Sequence, residues 1–80
     1  MTTKRLLELA KVRELAVSGE AKRLREKVGH LSLAEVADLC GVSPVSVWRW
    51  EQGEKRPHGT PAIRFLRLLE QLRDQEGLYV

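Results

Sequence analysis

Eighty residues, 42 % of them hydrophobic and 31 % charged, describe one small globular domain with a single core and no room for a second. The lone cysteine excludes an internal disulfide, and no apolar run is long enough to span a bilayer. The net charge of +3 permits a polyanionic partner without requiring one.

Residues 3–17, TKRLLELAKVRELAV, have helical composition and no breaker. Their apolar stripe reads as Leu6, Leu9, Ala10, Ala16 and Val17, with Arg13 falling inside it. Ser18-Gly19 interrupts the run; Ser18 can cap a new helix, and a break or a bend fits equally. Residues 19–29 form the next helix, with Ala21, Leu24 and Val28 inward, Arg25 on the border, and Lys22, Arg23, Glu26 and Lys27 outward. Gly29-His30 ends it.

The stretch Leu31–Pro57 carries the densest local signals. Ser32 with Glu35 three residues later makes a capping box. Val36, Ala37 and Cys40 share one face of that helix, and Gly41 stands where a left-handed turn residue is needed. Val42 gives the turn an apolar foot. Ser43-Pro44 then starts a second helix, cap followed by proline at the first helical position. Val47 and Trp50 point back to the core and Gly53 is the stop, which leaves Val45, Trp48, Arg49 and Gln52 facing outward and Ser46 at the edge. Beyond lies a breaker-rich loop, EKRPHGTP, after which Thr60-Pro61 repeats the cap-then-proline start for a helix over 60–76. On it Ala62, Ile63, Phe65, Leu66, Leu68, Leu69 and Leu72 span an arc wider than one core face needs, and Leu78-Tyr79-Val80 make an apolar tail. The expectation is one all-α domain over 1–80, compact and five-helical: a leading helix 3–17, a scaffold helix 19–29, a helix-turn-helix over 32–53 and a C-terminal helix.

Two short helices joined at Gly41, with small Ala37, apolar Val36, Cys40, Val42, Val47 and Trp50, and the exit Trp50-Glu51-Gln52-Gly53-Glu54-Lys55-Arg56-Pro57, resemble the helix-turn-helix of the Xre family, the group of phage Cro and CI repressors. His30 is one residue more than many members of that family carry before the Leu-Ser start. The resemblance implies a lambda-repressor-like DNA-binding fold, here with an additional N-terminal helix. It also implies an ion pair between Glu51 and Arg25 that ties the second helix to the scaffold, and backbone-phosphate contacts from Gln52, Lys55 and Arg56. Ser32 and Leu33 open a helix whose N-terminus faces a phosphate in the family's docking mode.

In such a mode the outward face of the second helix enters the major groove. Arg49 suits direct readout, since a guanidinium donates twice to guanine O6 and N7; a phosphate contact or an ion pair with Glu51 or Glu54 is the plainer role. Val45 suits a thymine methyl or is an ordinary surface residue, and Ser46 assists from the edge. Trp48 packs on a neighbouring element or on sugar-phosphate. Ser43 caps its helix and can donate to a phosphate at the groove rim, and His58 belongs to the DNA-proximal loop.

Charge is unevenly placed. Residues 1–29 hold eight Lys or Arg against four Glu, a net of +4; residues 30–59 hold three against four; residues 60–80 balance at three each. The helix-turn-helix can therefore specify, while the leading helices and Lys55-Arg56 attract. Cys40 reads as core, the two histidines lack ligand spacing, and no nucleophile-base set is present, so no metal, cofactor, small-molecule ligand or enzyme activity is expected. The resulting expectation is a Cro-like repressor acting on double-stranded DNA by operator occupancy in a bacterial or phage-infected cytoplasm, at the nucleoid. An antitoxin or accessory protein-binding subunit and an excisionase-like architectural protein are the alternatives. A homodimer is expected through the C-terminal helix or the leading helix.

Overall fold

The computed structural model describes residues 1–78, so Tyr79 and Val80 of the apolar tail lie outside the described residues. The elements are α1 (Thr3–Val17), α2 (Glu20–Arg23, continued by a π-helical turn over Leu24–Val28), α3 (Leu33–Cys40), α4 (Pro44–Gln52) and α5 (Gly59–Gly77). Among the described residues there is no strand.

Thr2 starts α1 by accepting the Arg5 N–H at 3.1 Å. The buried stripe of α1 is Leu9, Val12, Leu15 and Ala16, whereas Leu6, Ala10 and Val17 are exposed. This corrects the stripe read from the sequence. Apolar residues occupy most positions from Leu6 to Val17, so helical periodicity alone admits two faces, and only packing against α2, α4 and α5 selects one. The chain breaks rather than bends after α1: Gly19 has φ +88°, and the Ser18 hydroxyl accepts the Glu20 N–H at 3.3 Å.

The scaffold helix is shorter than expected, residues 20–28, and its second half is π-helical. The Gly29 N–H reaches the Leu24 carbonyl at 2.9 Å, five residues back, and the Leu31 N–H reaches the Arg25 carbonyl at 2.9 Å. A π turn holds one residue more than an α turn. Together with His30 in the left-handed region at φ +51°, it accommodates the extra residue in this junction. Gly29 is required by close approach: a β-carbon there would lie 2.9 Å from Leu72 Cδ2 and 3.3 Å from the Arg25 carbonyl oxygen. Gly29→Ala is expected to lower stability by about 1 kcal/mol despite alanine's better helix propensity, because Leu72 is buried and cannot yield freely. Urea unfolding of the variant beside the parent chain measures this.

The core gathers around α5, whose Ala62, Phe65, Leu66, Leu69 and Leu72 are buried, with Ile63 and Leu68 packed partly buried against them. The over-wide arc read from the sequence is therefore used within the domain, since α5 touches α1, the π turn and α3 at once. The Phe65 ring lies 5.1 Å from that of Trp50 on α4. The start of α5 also differs from expectation. It begins at Gly59, φ +65°, after an N-cap residue His58 that makes no side-chain capping bond, and Thr60 makes no capping bond either. Pro61, inside the first turn, has no N–H to leave unsatisfied. Across the surface, Lys11–Glu70 at 3.1 Å and Arg67–Glu8 at 2.8 Å link α1 to α5, and Arg23 links Glu20 to Glu76.

Candidate nucleic-acid interface

Local chemistry places α3 and α4. Ser32 Oγ accepts the Glu35 N–H at 3.0 Å while the Glu35 carboxylate accepts the Ser32 N–H at 3.0 Å, which closes the capping box. The bond from the Ser32 backbone N–H, with the nearby Ser32 hydroxyl second, holds the Glu35 carboxyl below its ordinary range. At the other end Gly41, φ +76°, lets the Gly41 and Val42 N–H groups both reach the Ala37 carbonyl, at 2.9 and 3.0 Å. Gly53 repeats the device after α4, where the Glu54 N–H bonds to the Arg49 carbonyl at 3.0 Å. Both helices of the pair therefore stop on a left-handed glycine that spares their last carbonyls.

The inner side of α4 is fixed by packing and by charge. Val47 and Trp50 are buried, and Val36, Ala37 and Cys40 on α3 close the same core. Val42 packs partly buried beneath the turn. Glu51, whose side chain is 1 % exposed, accepts from Arg25 Nε at 2.6 Å and Nη2 at 2.9 Å, a two-point fork. The remaining guanidinium nitrogen, Nη1, donates to the Leu31 carbonyl at 2.9 Å. The Glu51 hydrogen bonds raise the Arg25 pKa above its ordinary value against the opposing effect of burial. Cys40 is a plain core residue: burial pushes its thiol up to about 11, so it stays protonated at neutral pH.

The outer side of α4 is open. Val45 is 53 % exposed and Trp48 42 %, and Arg49 and Gln52 are exposed beside them. Arg49 forms no ion pair among the described residues, and Glu51, one of the partners considered for it, is held by Arg25. Lys55 and Arg56 are also exposed, in a loop anchored from behind: Pro57 is buried, and its carbonyl accepts from Arg13 Nε on α1 at 3.0 Å. Arg13, half-buried among the apolar residues of α1, thus ties the loop to that helix. A helix with a guanidinium on its open face, followed by two cations, none of the three in an ion pair among the described residues, offers both donors for base edges and charge for phosphates.

A family model described as a helix-turn-helix domain matches residues 16–77. The chain belongs to the helix-turn-helix domain family. No curated protein and no solved structure matches it. The family's domain corresponds to α2–α5, so α1 lies outside it except for its last two residues.

Within this helix-turn-helix domain the residues singled out in the sequence do not all stand as expected. Ser43 Oγ accepts the Ser46 N–H at 3.3 Å and lies 3.1 Å from Ser46 Oγ, so Ser46 is partly buried and already bonded. Leu33 is not a free rim residue: its side chain packs partly buried against the core, and only its position at the start of α3 bears on a phosphate. Trp48 is 42 % exposed on the outer face of α4, so the fold covers it only in part. His58 is exposed, with Nδ1 3.4 Å from the Arg56 carbonyl oxygen. Two side chains escaped the sequence reading. Arg13 fixes the loop, and Arg64 on α5 lies beside the turn, its Nη1 3.4 Å from where a β-carbon on Gly41 would stand. Neither has a local signal, because each acts across long sequence separation.

Proposed function

We propose that this protein is a sequence-specific double-stranded-DNA-binding regulator of the Xre/Cro type, which represses transcription by occupying an operator. One observation carries the reading: an unpaired Arg49 stands on the exposed face of a helix whose opposite face is locked to the scaffold through Glu51 and Arg25. The locked helix fixes where Arg49 leaves the backbone, from which its guanidinium can reach a guanine edge for bidentate recognition. Lys55, Arg56 and basic residues of α1 and α2 that are in no ion pair among the described residues, such as Lys4, Arg5 and Lys22, supply phosphate attraction, and Ser43 and Gln52 flank the reading face. Action is by occupancy, without cofactor or catalysis, in the cytoplasm at the nucleoid.

Arg49→Ala is expected to weaken binding to a selected DNA site by about 1–3 kcal/mol and to relax base preference at one position, with unchanged thermal stability. Fluorescence anisotropy on the selected site and its single-base variants measures both effects. Unchanged affinity and unchanged preference overturn the reading.

A single reading helix covers few base pairs, so the proposal includes a homodimer on a two-fold site. The arc of α5 is taken up by the fold, which favours α1 as the contact surface: Leu6, Leu7 and Val17 there are 53, 66 and 65 % exposed. Sedimentation equilibrium at micromolar concentration is expected to give a dimer that Leu7→Glu converts to a monomer. A parent chain that stays monomeric alone and on its DNA overturns the dimer.

A further inference from the structure

The reading face of α4 mixes apolar and polar side chains. Of the side chains that leave the fold there, Val45 and Trp48 are hydrocarbon or aromatic, and Arg49 and Gln52 are polar. Ser46, which could have added a hydroxyl, is bonded back to Ser43. Val45 and Trp48 are three residues apart and Val45 and Arg49 four, so all three share one side of the helix. A tryptophan left 42 % open on a small domain is unfavourable in water, and covering it on binding returns that area.

We propose that Val45 and Trp48 are both base-reading residues, and that they recognise the C5-methyl groups of two pyrimidines close to the guanine bound by Arg49. The inference rests on the DNA-binding reading above and adds which atoms of the site are recognised. In the major groove the C5 position is the one apolar feature of a pyrimidine edge, and thymine carries a methyl there. Side chains three residues apart on a helix stand roughly 5–6 Å apart at Cβ, and successive base pairs are about 3.4 Å apart. Val45 and Trp48 thus reach pyrimidines one or two base pairs from each other. Arg49 supplies the hydrogen bonds and its two apolar neighbours exclude water around them. Trp48 is in this arrangement a specificity residue and not a rim contact to sugar-phosphate.

The test uses the full-length protein and the DNA it selects from a random pool. Each thymine of the selected site is replaced singly by deoxyuridine, which removes the methyl alone. At two positions, one or two base pairs from each other and close to the guanine, the replacement is expected to weaken binding about fourfold, the worth of one buried methyl. Cytosine at those positions is expected to bind weakly, and 5-methylcytosine to recover about the same factor. The loss at one position is expected to vanish in Val45→Ala and at the other in Trp48→Ala, two exposed substitutions whose folding circular dichroism checks. A merely structural tryptophan does not couple to one methyl in this way. If deoxyuridine binds as thymine does, or the loss persists unchanged in both variants, the inference fails while the DNA-binding reading stands. If the pool yields no selected sequence, both fail, and the open Trp48 face is left as a surface for a protein partner.

Discussion

Replacing Glu51 by alanine is expected to cost this domain about 3–5 kcal/mol, much of the stability available to a chain this small. The loss comes less from the forfeited attraction than from what is left behind. Arg25 is 7 % exposed and cannot deprotonate, so without Glu51 its charge stays in the interior with only the Leu31 carbonyl and Glu26, 3.8 Å away on the surface side, to answer it. Glu51→Gln is expected to recover part of the loss, because the amide oxygen still accepts one bond from the fork while its NH2 group confronts the guanidinium. Urea unfolding of the parent, Glu51→Ala and Glu51→Gln chains gives the order directly. A cost below about 1 kcal/mol for alanine, the level of an exposed pair, contradicts the buried fork.

Val12→Asp is expected to have an effect of the same size, about 3–5 kcal/mol, by placing an unpaired carboxylate at a position with no exposure in α1. The site matters because α1 lies almost wholly outside the matched helix-turn-helix region yet contributes Leu9, Val12, Leu15 and Ala16 to the common core. If α1 were an appendage, the substitution would undock it and leave residues 18–78 folded. The packing of α1 against α2, α4 and α5 instead predicts one cooperative loss. In a Trp48→Phe background, fluorescence of the buried Trp50 and proteolysis at the α1 lysines and arginines are expected to change together. Cleavage confined to α1 with Trp50 still buried contradicts that expectation.

What the sequence displayed was whatever is encoded within a few residues. The Ser32–Glu35 box, the Gly41 turn, the Ser43-Pro44 start and the Gly53 stop are local, and the limits of α3 and α4 follow from them. The Arg25–Glu51 contact spans 26 positions, and it was the resemblance to a known family, not any spacing in this chain, that implied it. Features without local signals or such a resemblance stayed hidden. No residue type marks a π turn, so the sequence showed His30 as one too many without showing how the turn before it would take up the difference. The face of α1 was ambiguous because apolar residues lie all round it. The breadth of the α5 arc was read as spare surface, although a helix touched from three sides needs that breadth. At the reading face, the outward direction of Arg49 and Val45 came from helical geometry, whereas the exposure of Trp48 depended on how far the rest of the fold extends.

Along α4 the residues that orient the helix and the residues that leave it are separate sets. Val47, Trp50 and Glu51 hold it in place, while the side chains of Val45, Trp48, Arg49 and Gln52 make no hydrogen bond or ion pair among the described residues. Exchanging the latter set leaves every internal bond of the domain intact, so substitutions there escape the stability cost that limits change elsewhere in so small a core. Such a scaffold is free to diverge in what it recognises much faster than in how it folds.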